Sequence, residues 1–166
     1  ALELFDSQAA CRHLDIEARR LKAENRGYYT IGSSGHEGNA LVALLLKVTD
    51  PALLHYRSGA FMIQRARQLP GTDMVRDIAL SLVASAQDPI SGGRHKVFGS
   101  LPLNVPPQTS TIASHLPRAA GMAFALERMK ALKVERTLPP DSIIACSFGD
   151  ASLNHSTALG AINVAQ

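Results

Sequence analysis

The chain has 166 residues, 46% of them hydrophobic, and a formal net charge of +3. This length and composition are enough for one domain with a sizeable core, and they exclude an intrinsically disordered chain. The basic residues are spread along helical patterns and the chain has no Trp, three Tyr and five Phe, so we expect no nucleic-acid partner.

No segment reads as a signal peptide or a membrane span. The longest purely apolar run, Leu41 to Leu46, is far shorter than the roughly 20 residues that a helix needs to cross a bilayer. We therefore expect a cytoplasmic protein without a membrane partner. Cys11 and Cys146 are too few and too far apart in sequence for a disulfide framework or a cysteine zinc site, and Cys146 is predicted to be a small buried thiol.

Hydrophobic periodicity and the positions of Gly and Pro divide the chain into alternating helices and strands. The predicted helices cover about 3–25, about 58–68, about 72–85 and about 117–133, and a last helix begins near 153. A loop over 32–38 is predicted to open one more helix, which runs through Leu46, and Thr72 or Asp73 is predicted to cap the helix over 72–85. The predicted strands are 53–54 and 142–148. Between Asp88 and Thr109 closely spaced Gly and Pro residues predict a long irregular loop, and loops of that length are often functional.

The strand at 142–148 is an unbroken apolar run, which favours a parallel sheet flanked by helices and hence an α/β fold. We predict a single domain over residues 1–166 with an N-terminal helical segment over about 1–47. Since Ala1 and Gln166 both lie inside helical patterns, we expect a fragment of a longer or fused protein.

Ligands of parallel sheets bind beyond the carboxyl ends of the strands, where Gly149–Asp150 and Tyr56–Arg57 are expected. Asp150 offers a hard oxygen ligand for Mg²⁺, and Gly149 and Ala151 allow a close backbone approach to an anion beside a helix N-terminus. Arg57 can bind phosphate in a bidentate manner. Two simpler interpretations stay open: Asp150 as a helix cap, and Arg57 in a surface ion pair.

The segment Ser110–Thr111–Ile112 precedes a predicted helix and could present backbone groups and one apolar side chain to a ligand, although a plain capping turn also fits. Four histidines are possible acid–base groups, and each is interpreted as a partly exposed residue without chemistry: His36, His95, His115 and His155.

Five short motifs occur in an order and spacing that resemble a known family. They are Gly35-His36-Glu37, His55-Tyr56-Arg57-Ser58, Ser91-Gly92-Gly93-Arg94, the run from Ser110 to Pro117, and Phe148-Gly149-Asp150-Ala151-Ser152. The chain resembles the α subunit, or the α-like half of a fused chain, of the thiamine diphosphate-dependent decarboxylating component of 2-oxo acid dehydrogenase complexes, the branched-chain type in particular. The resemblance covers nearly the whole chain.

The resemblance implies a thiamine diphosphate-binding fold, of which this chain would be the diphosphate-binding domain, incomplete at its C-terminus. It implies Asp150 as a Mg²⁺ ligand, with the diphosphate and the rest of the cofactor contacted by Tyr56, Arg57, Ser110, Thr111, Ile112, Gly149, Ala151 and Ser152. The implied activity is that of an oxidoreductase: oxidative decarboxylation of a 2-oxo acid with transfer of the acyl group to lipoyl. The implied partners are a β subunit or β-like half and a lipoyl-bearing acyltransferase, in a homo- or hetero-oligomer.

The sequence also departs from the family pattern. Ala151 replaces the second glycine of the Gly-Asp-Gly signature, and the second metal ligand of the family has no match among these residues. No catalytic acid or base is identified, so the 166 residues alone are expected to be inactive and to bind cofactor weakly or not at all. A transketolase-like enzyme of sugar phosphates and a non-catalytic assembly module stay open as alternatives.

Overall fold

A computed structural model describes residues 1–28, 31–135 and 138–166, and Tyr29, Thr30, Arg136 and Thr137 lie outside this description. The helices are α1 (Leu2–Ala23), α2 (Asn39–Leu45), α3 (Gly59–Ala66), α4 (Met74–Leu82), α5 (Leu116–Ala131) and α6 (Ser156–Ala165), with a 3-10 helix at Asp150–Asn154. The strands are β1 (Ala52–Leu53), β2 (Phe98–Ser100), β3 (Val105–Gln108) and β4 (Ala145–Cys146).

The N-terminal helices form because their apolar and small residues recur at helical spacing. In α1 the buried residues are Ser7, Cys11, Asp15 and Ala18, which lie on one face and pack toward α3 and α4. Helix α4 begins at a capping residue, as the sequence predicts: the Asp73 carboxylate accepts a hydrogen bond from the backbone N–H of Arg76 at 3.0 Å.

Helix α3 is buried at every position and forms the centre of the larger core. Phe61 and Met62 pack there with Leu54 of the preceding segment and with Leu103 and Val105 of the hairpin formed by β2 and β3. A second, smaller apolar cluster joins α5 and α6 through Ala113, Leu116, Ala158 and Ala161. None of the helices in the described part of the chain combines the length and apolar character that a bilayer crossing requires.

Strands β1 and β4 pair in parallel, with Ala52 opposite Ala145 and Leu53 opposite Cys146. The backbone N–H groups of Ala145 and Ser147 donate to the carbonyl oxygens of Pro51 and Leu53, each at 2.9 Å. The chain is thus a mixture of helix and sheet, with a small parallel sheet flanked by helices. Because the strands run in parallel, the segments that follow them emerge at the same edge.

Three predictions about the elements need correction. Among the described residues, the predicted strand at 142–148 pairs only at Ala145–Cys146. Cys146 is half-buried, packed against the smaller apolar cluster of α5 and α6. The predicted irregular loop contains the antiparallel hairpin of β2 and β3. The last helix begins at Ser156, after the 3-10 helix, so Asp150 does not stand at an α-helix N-terminus.

Candidate functional site

The parallel pairing of β1 and β4 places His55–Tyr56–Arg57 beside Phe148–Gly149–Asp150. These segments follow the carboxyl ends of their strands, where side chains of neighbouring parallel strands converge. The turn before α5 closes the third side, because the Nε2 atom of His115 lies 2.8 Å from the carbonyl oxygen of Ser147, just after β4. Three segments distant in sequence therefore meet at one edge of the sheet.

A cavity of about 110 Å³ lies where these segments meet. Of the nine residues predicted to bind cofactor or metal, eight line it: Tyr56, Arg57, Thr111, Ile112, Gly149, Asp150, Ala151 and Ser152. Ser110 is exposed and is not part of the lining. The remaining lining residues are His36, His55, Ala113 and His115.

Arg57 is the permanent cation of the lining. One of its Nη atoms donates to the carbonyl oxygen of Gly32, and its guanidinium carbon lies 5.3 Å from the ring centroid of Tyr56. Arg57 thus forms its hydrogen bond with a backbone carbonyl and not with the carboxylate of a surface ion pair. A guanidinium has five N–H donors, so this contact orients the group and leaves others for an anion.

His55 and His115 are held as neutral imidazoles with defined tautomers. The Nδ1 atom of His55 accepts a hydrogen bond from the backbone N–H of Arg57 at 3.2 Å, so its proton is on Nε2. His115 donates from Nε2 to the Ser147 carbonyl, so its Nδ1 carries no proton. His55 Nε2 and His115 Nδ1 are buried without a hydrogen-bond partner among the described residues.

Burial lowers the pKa of all three histidines of the lining. The pKa of His55 falls to about 4, first because the ring is desolvated and then because His36, His115 and Arg57 disfavour a further positive charge. For His36, desolvation and Arg57 lower the pKa, while Glu37 and Asp150 oppose the shift. Beside these three imidazoles, the lining contains the guanidinium of Arg57 and the carboxyl group of Asp150.

Asp150 stands at the rim of the cavity with an exposed side chain. It caps no helix: Gly149 is the N-cap of the 3-10 helix, and His155 caps α6 through its Nδ1 atom, which accepts from the backbone N–H of Thr157 at 3.4 Å. The capping interpretation of Asp150 is therefore wrong, and its carboxylate remains available to a ligand. The segment 110–112 is likewise no side-chain cap of α5.

The lining fits the diphosphate end of thiamine diphosphate better than the whole cofactor. Complete small-molecule sites enclose roughly 300–1,000 Å³, so a cavity of about 110 Å³ holds one end of such a ligand. The described residues contain no group of three or more His, Cys, Asp or Glu side chains that could hold a metal. Mg²⁺, however, is commonly bound by one or two carboxylates together with phosphate oxygens and water, and Asp150 can supply one such ligand.

The sequence motifs predict no role in the site for His55, and they predict His36 and His115 to be residues without chemistry. The adjacency of His55 to Tyr56 and of His115 to the 110–112 segment was the available signal. Spacing alone could not reveal that His36 and His55 lie with ring centroids 4.7 Å apart, because that contact depends on how α2, which follows His36, packs against α3, which follows His55.

The chain matches no protein-family model, and a search of curated proteins finds no significant match. The residues of the cavity and their geometry therefore carry the functional argument.

Proposed function

We propose that this chain forms the diphosphate-binding part of a thiamine diphosphate-dependent enzyme, of the kind that decarboxylates 2-oxo acids and transfers the acyl group to lipoyl. The observation that carries the proposal is the convergence of eight predicted ligand-binding residues around one cavity. Those residues come from three segments, 56–57, 111–112 and 149–152, which are distant from one another in sequence and which the motifs indicate independently of the fold.

In this proposal Arg57 and Tyr56 would bind the phosphoryl oxygens, and Asp150 would supply a carboxylate ligand to Mg²⁺. A guanidinium and a metal ion together neutralise two adjacent phosphates, which a neutral pocket cannot do. Gly149 supports the arrangement because a Cβ atom at its position would meet nothing within 4 Å, so open space lies beside its backbone.

Thiamine diphosphate, when bound, supplies the carbon nucleophile and the electron sink for decarboxylation, and the protein supplies its position. The Ile112 side chain, about half exposed beside the cavity, offers an apolar surface to the part of the cofactor that projects outward. The neutral state of His55 keeps Arg57 as the main attraction for an anion. The 2-oxo acid, the β partner and the lipoyl-bearing acyltransferase would contact groups beyond this cavity.

A ligand series tests the proposal. Two-dimensional ¹H–¹⁵N NMR of the chain would be recorded during titration with thiamine, thiamine monophosphate and thiamine diphosphate, each with and without Mg²⁺. We expect shifts at the cavity residues only with the phosphorylated forms, strongest with diphosphate and Mg²⁺, at a Kd on the order of 1 mM. Equal shifts with unphosphorylated thiamine, or none with any ligand, would reject the proposal.

A transketolase-like activity on sugar phosphates is the second candidate. The observation that favours it is the polar lining with three imidazoles, since neutral imidazoles can donate to and accept from the hydroxyl groups of a sugar. The protein supplied with its partner subunit separates the two candidates: turnover of branched 2-oxo acids supports the first, and turnover of ketose phosphates supports the second.

A further inference from the structure

The loop 31–33 is held by three charged side chains from distant parts of the chain. The Nζ atom of Lys96 donates to the carbonyl oxygen of Ile31. Arg57 donates to the carbonyl oxygen of Gly32. The backbone N–H of Ser33, the third residue of the loop, donates to the Asp15 carboxylate at 2.5 Å. Three consecutive backbone groups are thus fixed from helix α1, from the segment before β2 and from the cavity itself.

Two of these three side chains are buried beneath the loop. Asp15 is 4% exposed and Lys96 is 5% exposed, and neither lines the cavity. Burial lowers the pKa of Lys96, and the Asp15 carboxylate is the main opposing influence, so the two opposite charges lie close enough to interact. Lys96 also has a φ of 52°, a left-handed conformation that is uncommon for a residue with a side chain.

Buried opposite charges seldom improve stability over apolar residues of similar volume, because desolvation offsets their attraction. Stability alone therefore gives a weak reason for a buried carboxylate and ammonium at this place. The placement of the loop gives a stronger reason for burying these two charges. A hydrogen bond to a backbone carbonyl or N–H fixes the position of a loop more precisely than apolar packing does.

We propose that Asp15 and Lys96 are positioning residues, which fix the loop 31–33 so that the carbonyl of Gly32 holds the Arg57 guanidinium toward the cavity. Arg57 is held by this clamp and belongs to the anion site. The clamp consists of Asp15, Lys96 and the loop 31–33. Its role in ligand binding rests on the proposed function, whereas its effect on Arg57 does not.

The test compares variants that remove both buried charges at once, so that no charge is left unpaired in the core. Asp15→Leu with Lys96→Met removes both contacts to the loop. Asp15→Asn with Lys96→Met has the same net charge and keeps an oxygen acceptor for the backbone N–H of Ser33. Arg12→Ala is the control, because Arg12 is exposed and bonds the Ser34 hydroxyl in the same region at 2.7 Å.

Two measurements are made on each protein. The first is the rotation of the Arg57 guanidinium, read from its Nη signals in ¹⁵N NMR, which are separate when one Nη is held and averaged when it is free. The second is the Kd for inorganic pyrophosphate with Mg²⁺. We expect the Leu/Met variant to average the Arg57 signals and weaken pyrophosphate binding at least tenfold while it unfolds cooperatively. The Asn/Met variant should restore part of the Arg57 signal separation and part of the pyrophosphate affinity. Arg12→Ala should change neither the Arg57 signals nor the pyrophosphate Kd.

Separate Arg57 signals in the Leu/Met variant would overturn the clamp, and so would a pyrophosphate Kd within threefold of the unmodified protein's. If the unmodified protein binds no pyrophosphate, the diphosphate site fails, and the Arg57 signals still decide whether the clamp exists. If the Leu/Met variant does not fold, the Asn/Met variant decides in its place, because it lacks the Lys96 contact to the loop. Arg57 signals and a pyrophosphate Kd that both match those of the unmodified protein would then reject the clamp.

Discussion

The backbone N–H of Arg57 donates to Nδ1 of His55 at 3.2 Å, a hydrogen bond that joins the cation of the cavity to a buried imidazole two residues earlier in the chain. This bond fixes the tautomer of His55 and leaves its Nε2–H inside the protein without a partner among the described residues. The guanidinium of Arg57 therefore provides the positive charge of the cavity, while the lowered pKa of His55 keeps its imidazole neutral.

The neutral state of His55 predicts a pH dependence of stability. Its pKa is about 4 in the folded protein and about 6.5 in the unfolded chain, so the unfolded chain binds more protons between those values. Stability contributed by His55 is thus complete above pH 6.5 and is lost as the pH falls toward 4. We expect His55→Asn, which keeps an acceptor for Arg57, to reduce the stability difference between pH 7 and pH 4.5 by about 1–2 kcal/mol.

The measurement is denaturant unfolding at the two pH values. His13→Asn is the matched control, because His13 is exposed on α1. An unchanged pH dependence in His55→Asn would show that His55 is not a buried neutral residue.

Gly149 should matter for the ligand and little for the fold. Its backbone is extended, with φ −79° and ψ 156°, and an added Cβ would meet nothing within 4 Å. We expect Gly149→Ala to change stability by less than about 0.5 kcal/mol and to weaken pyrophosphate binding severalfold, since the methyl group takes space beside the cavity. Binding as tight as in the unmodified protein would show that the ligand does not approach this backbone.

Gly160→Ala is the control for that substitution. Gly160 lies in α6, where a Cβ also meets nothing within 4 Å, and alanine there should stabilise the helix by about 0.5–1 kcal/mol without changing binding.

Gly99 tests the hairpin of β2 and β3. A Cβ at Gly99 would lie 2.8 Å from Ile90 Cγ1 and 2.9 Å from the Cα of Pro107, and the latter contact cannot relax without moving the backbone. We expect Gly99→Ala to lower the free energy of unfolding by about 1–3 kcal/mol. Gly121→Ala in α5, where the same Cβ meets open space, should instead stabilise the protein slightly. Equal effects of the two substitutions in denaturant unfolding would contradict the hairpin packing.

The helices were the most predictable part of this fold. The α1 pattern gave bounds within two residues of those observed, and Asp73 was predicted as one of two possible caps of α4. The sequence pattern does not predict the hairpin, because Pro106 and Pro107 lie inside β3 and lack the backbone N–H groups that pair strands in a sheet. Asn104 at φ 54°, a conformation that asparagine tolerates well, was the turn signal that could have indicated it.

The candidate site was predictable as far as the parallel sheet determines it. Tyr56–Arg57 and Gly149–Asp150 meet because both follow parallel strands, which a sequence pattern can indicate. The place of His115 depends on its bond to Ser147, 32 residues away, and the clamp on Arg57 depends on how α1 packs on α3. Such contacts arise from tertiary packing and leave no periodic signal in the sequence.

The most direct test of the diphosphate site is the magnesium dependence of pyrophosphate binding in the unmodified chain and in Asp150→Asn. Asparagine keeps the size of the side chain and removes its charge. If Asp150 binds Mg²⁺, the unmodified chain should bind pyrophosphate at least about fivefold more tightly with Mg²⁺ than without it, a difference of roughly 1 kcal/mol. Asp150→Asn should lose that gain and keep the magnesium-free affinity that Arg57 provides, whereas an equal magnesium effect in both proteins, or no binding by either, would contradict the account.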